Sequence, residues 1–188
     1  MIKFVAYLKT IKKLGFLNVF RVLIHRISIK SGYYKLIMPI KDCPFPEEIV
    51  LEKKRKIINF PEELNSSYTK NCLNAADKLI NGEILLFSKE KYFYSNIPNW
   101  FLNCKLKNYK NIHWTEHKIF GSKDIKRCWE LSRFSWAPLM ARAGIISGNK
   151  KYIQTINKWI ENWCKSNPIN AGPNWICGQE VSIRLIHV

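Results

Sequence analysis

The chain has 188 residues and a mass of 22.2 kDa, with 47% apolar and 24% charged residues. This length and composition are those of a folded globular domain and exclude wholesale disorder, and no apolar run reaches the roughly 18 residues that a membrane-spanning helix needs. Lys and Arg exceed Asp and Glu by 31 − 14 = 17, which favours a polyanionic partner such as nucleic acid, anionic lipid or acidic polysaccharide. A genome rich in codons for Lys, Ile and Asn would produce the same excess, so charge alone assigns no partner.

Residues 1–37 form the first predicted segment, a basic amphipathic helical one. Apolar residues recur at helical spacing, and Lys and Arg occupy the positions between them. Such a helix either makes peripheral contact with an anionic membrane or packs its apolar side on the protein's own body. Ser31-Gly32 is expected to end it. The segment lacks the apolar stretch and the cleavage site of a signal peptide, which favours a cytoplasmic location.

The next segment, 38–70, is predicted to be an irregular connector because four prolines interrupt it. The main domain is expected to occupy 71–188. It begins with a short helix over 71–82, in which apolar residues recur every three to four positions, and Asn81-Gly82 ends that helix.

A small hairpin and an aromatic loop follow the helix. The β-prone runs 83–88 and 91–94 predict two short strands, and 95–121 is expected to be a loop rich in aromatic and His side chains. Between Trp100 and Trp114, aromatic rings beside lysines suit the stacking of sugars or bases. A loop folded over the core would contain the same residues, so both interpretations stay open.

The C-terminal third predicts helices joined by short turns. Ser122 is a plausible N-cap for the first helix, which is apolar on more than one face and should therefore lie between other elements. Pro138 is expected to kink this helix, and Gly148 to end it.

Two further helices are predicted after that turn. Asn149 caps the second, and Asn167-Pro168 stops it. The third begins at about Trp175 and keeps its helical pattern to Val188 without a capping residue, so we expect the chain to be truncated within it. Consecutive helices with no strands between them are typical of antiparallel helical hairpins.

Six cysteines are present, with neither a C-x-x-C pair nor a zinc-finger spacing. We therefore expect no structural metal site, and unpaired thiols favour a reducing compartment.

Two acid–base pairs in the helices are candidates for bracing the fold or for contacting a ligand. Glu130 lies three residues from both Arg127 and Arg133, so one carboxylate can lie between two guanidiniums. Glu180 and Arg184 are spaced as i and i+4 on one helix face. Both interpretations hold for each pair.

Asn174-Trp175 follows a Pro/Gly loop and offers an amide and a flat ring to a ligand, although Asn174 could equally cap the helix. The chain contains no Gly-rich phosphate loop, metalloprotease motif or serine-hydrolase motif. It also contains no DNA- or RNA-binding signature.

Several short pieces follow one another along the chain: Ala76–Gly82 with Phe87, His113-Trp114, the Trp-Glu-Leu-Ser-Arg-Phe core of 124–134, Asn167-Pro168, and Asn174-Trp175 with Glu180 and Arg184. In order and spacing they resemble the N-terminal domain of the heparinase II/III-like polysaccharide lyases. The opening residues 13–21 also resemble the leader of family members found among bacterial surface-polysaccharide genes, so the resemblance covers nearly the whole chain.

The resemblance implies a mainly α fold, an incomplete (α/α) toroid of antiparallel helical hairpins. Family enzymes cleave uronic-acid-containing polysaccharides by β-elimination, which requires a neutralised carboxylate, a Tyr or His base and a proton donor. In the family these groups follow the Glu…Arg helix. No catalytic residue is therefore assigned here, His113 and His187 included, and no metal or cofactor is implied.

This chain would supply part of the toroid wall and of the substrate groove. The residues expected to contact substrate are Trp114, Arg133, Trp136, Asn174, Trp175, Glu180 and Arg184. The expected partners are an acidic polysaccharide and the missing C-terminal part of the same chain, and not nucleic acid. The family implies the periplasm, in conflict with the N-terminus. The alternatives are a non-catalytic anionic-glycan-binding module and, less favoured, a basic nucleic-acid-binding domain.

Overall fold

The computed structural model describes residues 12–44, 65–102, 104, 109–117 and 125–188. These residues form a mainly helical structure with a two-stranded sheet, and the chain divides into two units, Met1–Ile40 and Lys41–Val188. Most of the predicted connector, the predicted N-cap Ser122 and the first eleven residues lie outside the described part.

The described part of the first unit includes the helices α1 (Phe16–Lys30) and α2 (Tyr33–Ile37). Ser31 and Gly32 separate them, and Gly32 adopts a left-handed conformation with φ 76° that glycine tolerates best. The predicted end at Ser31-Gly32 is confirmed, and the predicted helix over 1–30 is confirmed for Phe16–Lys30; Gly15, with φ 77°, precedes that helix, and the first eleven residues lie outside the described part. No residue of α1 or α2, both fully described, is buried.

The first helix among the described residues of the second unit is α3 (Ser66–Ile80). The sequence predicted a start at residue 71, but Asn65 accepts a hydrogen bond from the Ser67 N–H at 2.8 Å and so caps the helix five residues earlier. The first turn is polar and exposed, so it carries no apolar periodicity. The predicted end at Asn81-Gly82 is confirmed.

The predicted hairpin is also confirmed. Strands β1 (Glu83–Leu86) and β2 (Glu90–Phe93) pair antiparallel, with Glu83 opposite Phe93 and Leu86 opposite Glu90. Ile84 and Leu86 are buried while Leu85 is exposed, so one face of the hairpin packs on the core.

The helix predicted from about residue 122 is two helices, α4 (Ile125–Ser132) and α5 (Trp136–Ser147). The chain breaks at Phe134, whose φ is 60°, so the predicted kink at Pro138 is wrong. Pro138 is the third residue of α5, where a backbone N–H has no intrahelical acceptor and a proline costs little. The carbonyl of Phe134 accepts from the Ala137 N–H at 2.8 Å.

Two helices complete the unit, α6 (Lys151–Ser166) and α7 (Gly178–His187). The N-cap of α6 is Lys150 rather than the predicted Asn149, but Asn149, one residue earlier, accepts a hydrogen bond from the Lys151 N–H at 3.0 Å. Helix α7 starts three residues later than predicted, because Pro173–Trp175 forms a 3-10 turn. Helices α3, α5 and α6 pack against one another, and α5 and α6 form a helical hairpin across a three-residue turn.

Aromatic side chains form the centre of this core. The rings of Trp136 and Trp159 meet edge to face with centroids 4.9 Å apart, and Phe134 meets Trp163 in the same way at 5.1 Å. Trp100 is only 2% exposed, and its ring also contacts Trp136. At Trp100 the aromatic loop is therefore folded over the core. This favours a structural role for Trp100 over the stacking of sugars or bases.

Candidate functional site

A network of ionic side chains joins α7 to the break between α4 and α5. Arg133 donates from Nε and Nη2 to the two carboxylate oxygens of Glu180, each at 2.7 Å. It also donates from Nη1 to Glu130 at 2.6 Å, which confirms the predicted Glu130–Arg133 pair. The planar guanidinium of Arg133 thus donates to a different carboxylate from each of two edges. The two carboxylates hold the pKa of Arg133 above its usual range.

Two further ionic residues of the predicted pairs have partners on other elements. Arg127 pairs with Glu90 of β2 at 2.8 Å. Glu180, the third residue of α7, is buried and gives both oxygens to Arg133 rather than forming the expected helix pair with Arg184. A carboxylate in the first turn of α7 is also favoured by the helix dipole.

Arg184 is the most deeply buried cation of the described residues, at 5% exposure. Its Nη2 donates to the carbonyl oxygen of Asn174 at 2.6 Å, and its guanidinium lies 5.0 Å from the ring centre of Trp163 and 5.5 Å from that of Trp175. Burial lowers the pKa of Arg184 to about 10, although Glu180 nearby opposes that change.

Asn174 connects Arg184 to the end of α6. Its side-chain Nδ2 donates to the Oδ1 of Asn167 at 2.8 Å, and Asn167 in turn donates to the carbonyl oxygen of Trp163 at 2.9 Å. Asn174 lies in the 3-10 turn before α7, so it ties this turn to α6 rather than capping α7.

Two donors beside this network have no acceptor among the described residues. They are Nη1 of Arg184 and Nε1 of Trp175, both buried. A buried donor without an acceptor destabilises the fold by about 1–3 kcal/mol. Each of these two N–H groups is therefore suited to an acceptor such as a water or carboxylate oxygen.

The seven predicted substrate-contacting residues therefore fall into three places. Arg133, Asn174, Trp175, Glu180 and Arg184 meet in the network, Trp136 lies in the aromatic core, and Trp114 is half-buried where its N–H donates to the carbonyl oxygen of Asn170 at 3.0 Å. Four of the seven, Trp136, Asn174, Glu180 and Arg184, are buried. These four side chains stabilise the fold through the contacts just described. Contact with a substrate stays a prediction for all seven residues.

A cleft of about 480 Å³ opens between α3, the hairpin and the start of α5. Buried apolar side chains form its floor, and exposed amide, ammonium and hydroxyl groups stand around them. The lining comprises Asn71, Asn74, Ala75, Lys78, Leu79, Glu83, Ile84, Leu85, Lys91, Ser135, Trp136 and Leu139. An apolar floor with a few polar groups is the usual composition of a small-ligand site.

Charge in the cleft favours an anion. Lys91 is paired with Glu83 at 3.1 Å, so the second lysine, Lys78, gives the lining a net positive charge. Of the lining residues, the sequence analysis selected only Trp136. The others were missed because they come from three separate elements, and no local spacing brings Asn71 and Lys91 together.

Among the described residues, no three His, Cys, Asp or Glu side chains come together as metal ligands. All six cysteines are free thiols. No described helix has the length and apolar character needed to cross a membrane.

Comparison with protein-family models, with curated proteins and with solved structures finds no match to this chain.

Proposed function

We propose that this chain is part of a heparinase II/III-like polysaccharide lyase, in which its helical hairpins form an incomplete (α/α) toroid that binds acidic polysaccharide. The supporting observation is that the pieces on which the resemblance rests meet in space. The N–H of Phe87 donates to Glu130 at 3.3 Å, and Glu130 shares Arg133 with Glu180. These contacts connect residues up to 93 positions apart, so these three pieces lie together in the fold.

The cleft supports the proposed class of substrate. A uronic acid presents a carboxylate, several hydroxyls and an apolar C–H face. Lys78 suits the carboxylate, the amides of Asn71 and Asn74 suit hydroxyls, and the floor with Leu79 and Trp136 suits the C–H face.

The role we assign to this chain is to bind and orient the polymer. β-Elimination needs a base to remove the C5 proton and an acid for the leaving oxygen. None of the described residues that line the cleft is a Tyr or a His, so we expect no turnover from this chain alone.

Titration of the chain with polygalacturonate and with neutral dextran of matched length tests the proposal. We expect measurable binding to the uronate polymer and at least about tenfold weaker binding to dextran, because one charge contact contributes on the order of 1–3 kcal/mol. Lys78→Glu should weaken uronate binding about tenfold, whereas Lys150→Glu, at an exposed position in the turn between α5 and α6, should change it little. Equal affinities for both polymers, or equal effects of both variants, would contradict the proposal.

A non-catalytic module that binds anionic glycan is the second candidate. It is favoured by the same observation, that the described cleft lining carries lysines and amides without a Tyr or His. The complete protein distinguishes the two, because a lyase produces an absorbing unsaturated uronate from polygalacturonate and a binding module does not.

A further inference from the structure

Large apolar side chains on one side of α1, in the first unit, are exposed. With 3.6 residues per turn, Phe16, Phe20, Leu23 and Ile27 lie on one side of α1. They are 75%, 49%, 54% and 57% exposed, and the rings of Phe16 and Phe20 stack with centroids 6.4 Å apart. Such a contiguous apolar surface usually marks a binding face.

The helix α2 continues this character. Leu36 is 81% exposed and Ile37 is 53% exposed. The exposed apolar side chains of the first unit therefore continue from α1 into α2.

The charged side chains of residues 12–40 are all positive. Between residues 12 and 40 the chain carries six Lys or Arg residues and no Asp or Glu. On α1 the cations lie beside and opposite the apolar side, with Arg26 and Lys30 next to it and Arg21 across from it. A surface that complements both this apolar face and this charge must be apolar and anionic.

The length of α1 decides how it would meet such a surface. Its fifteen residues extend roughly 22 Å at 1.5 Å per residue, short of the roughly 30 Å hydrocarbon core of a bilayer. A helix of this length, with a polar side and flanking cations, lies in the interface instead of crossing it.

We propose that α1 and α2 bind the surface of an anionic lipid membrane, with the apolar side of α1 at the level of the acyl chains and its Lys and Arg at the lipid phosphates. This places a peripheral membrane anchor at the start of the chain. Nucleic acid is less suited, because large aliphatic side chains dominate the exposed side and phosphate contacts would leave them in water.

Co-sedimentation of the full chain with vesicles tests the anchor. We expect binding to vesicles of equal parts phosphatidylglycerol and phosphatidylcholine, weakened by added salt, and at least about tenfold less binding to pure phosphatidylcholine.

Phe20→Glu and Asn18→Glu form a matched pair of variants, since both add one negative charge to the exposed surface of α1 but only Phe20 lies on the apolar side. Phe20→Glu should bind at least about tenfold more weakly than Asn18→Glu, the value expected from losing a buried Phe side chain. Unfolding midpoints equal to that of the unmodified chain would show that both variants keep the fold.

Three results would overturn the proposal. The first is equal binding by the two variants, and the second is equal binding to charged and uncharged vesicles. The third is the absence of vesicle binding together with Phe20-dependent self-association or Phe20-dependent binding to duplex DNA, which would identify a second copy or nucleic acid as the occupant.

Discussion

Arg133 and Glu180 are separated by 47 residues in sequence and form a two-point ion pair, with both N···O distances at 2.7 Å. Arg133 is the first residue after α4, and Glu180 lies in the first turn of α7. The pair therefore fixes the position of α7 against the break where the chain turns into α5. His187 reinforces this contact, because its Nδ1 lies 2.6 Å from the carbonyl oxygen of Arg133.

Loss of this ion pair should destabilise the fold strongly. Arg133→Ala leaves the carboxylate of Glu180 buried without its two donors, and we expect a loss of about 3 kcal/mol in the free energy of unfolding. Arg133→Lys keeps the charge but only one contact point, and should cost about 1–2 kcal/mol. Urea unfolding measures both values.

The exposed pair Lys165–Glu161, at 2.6 Å, provides the control. Lys165→Ala should cost less than about 1 kcal/mol, since exposed ion pairs contribute little. A loss for Arg133→Ala as small as that for Lys165→Ala would show that the buried pair does not fix α7.

Two glycines should respond differently to the same substitution. Gly82 and Gly148 both have positive φ, at 94° and 65°, but a Cβ on Gly82 would collide with the backbone carbonyl of Tyr94, whereas one on Gly148 would meet open space. Gly148→Ala should therefore cost only about 1–2 kcal/mol for the left-handed conformation.

Gly82→Ala should cost about 3 kcal/mol or more, because the backbone between α3 and the hairpin must shift as well. The test is to measure the unfolding free energies of the Gly82→Ala and Gly148→Ala variants under the same conditions. Equal losses would mean that the contact between Gly82 and Tyr94 carries no steric constraint.

His117 should make stability depend on pH. Burial lowers the pKa of His117 below its ordinary 6.5, and its Nε2 has no hydrogen-bond partner among the described residues. As the pH falls below 6.5, the unfolded chain takes up a proton that the folded chain does not, so stability is lost until the pH reaches the folded pKa.

His117→Gln removes this titration. Between pH 7 and pH 5.5 the unmodified chain should lose more unfolding free energy than the variant, as measured by urea unfolding at each pH. Carboxylates titrate alike in both proteins, so the difference reports His117, and parallel curves would show that His117 is protonated equally in the two states.

The sequence predicted best those features that local spacing determines. The hairpin, the end of α3 at Asn81 and the start of α6 just after Asn149 were found because each depends on residues close together in the chain. Phe134 was missed as the helix break, since a Phe with positive φ is unusual and has no sequence signal. It is held there by packing against Trp136 and Trp163.

The same limit applies to the candidate site. Glu130 and Arg133 pair as their spacing predicts, but Glu180 pairs with Arg133 instead of Arg184 because tertiary packing brings α7 to α4. A local rule of i and i+4 contacts does not include a partner 47 positions away. The cleft was missed for the same reason.

Cys43 should react faster at neutral pH than an ordinary thiol, because the thiol of Cys164 lies beside it. A hydrogen bond from Cys164 lowers the pKa of Cys43 to about 7, against the effect of burial and with help from Arg184. Since the thiolate is the reactive form, alkylation of Cys43 by iodoacetamide should follow a titration centred near pH 7.

Cys164→Ala removes the donor and should slow alkylation at pH 7 several-fold, while Cys72→Ala, at a buried thiol in α3, should leave the rate unchanged. Peptide-resolved mass spectrometry measures these rates, and a midpoint for Cys43 near 9 in the unmodified chain would contradict the contact between the two thiols.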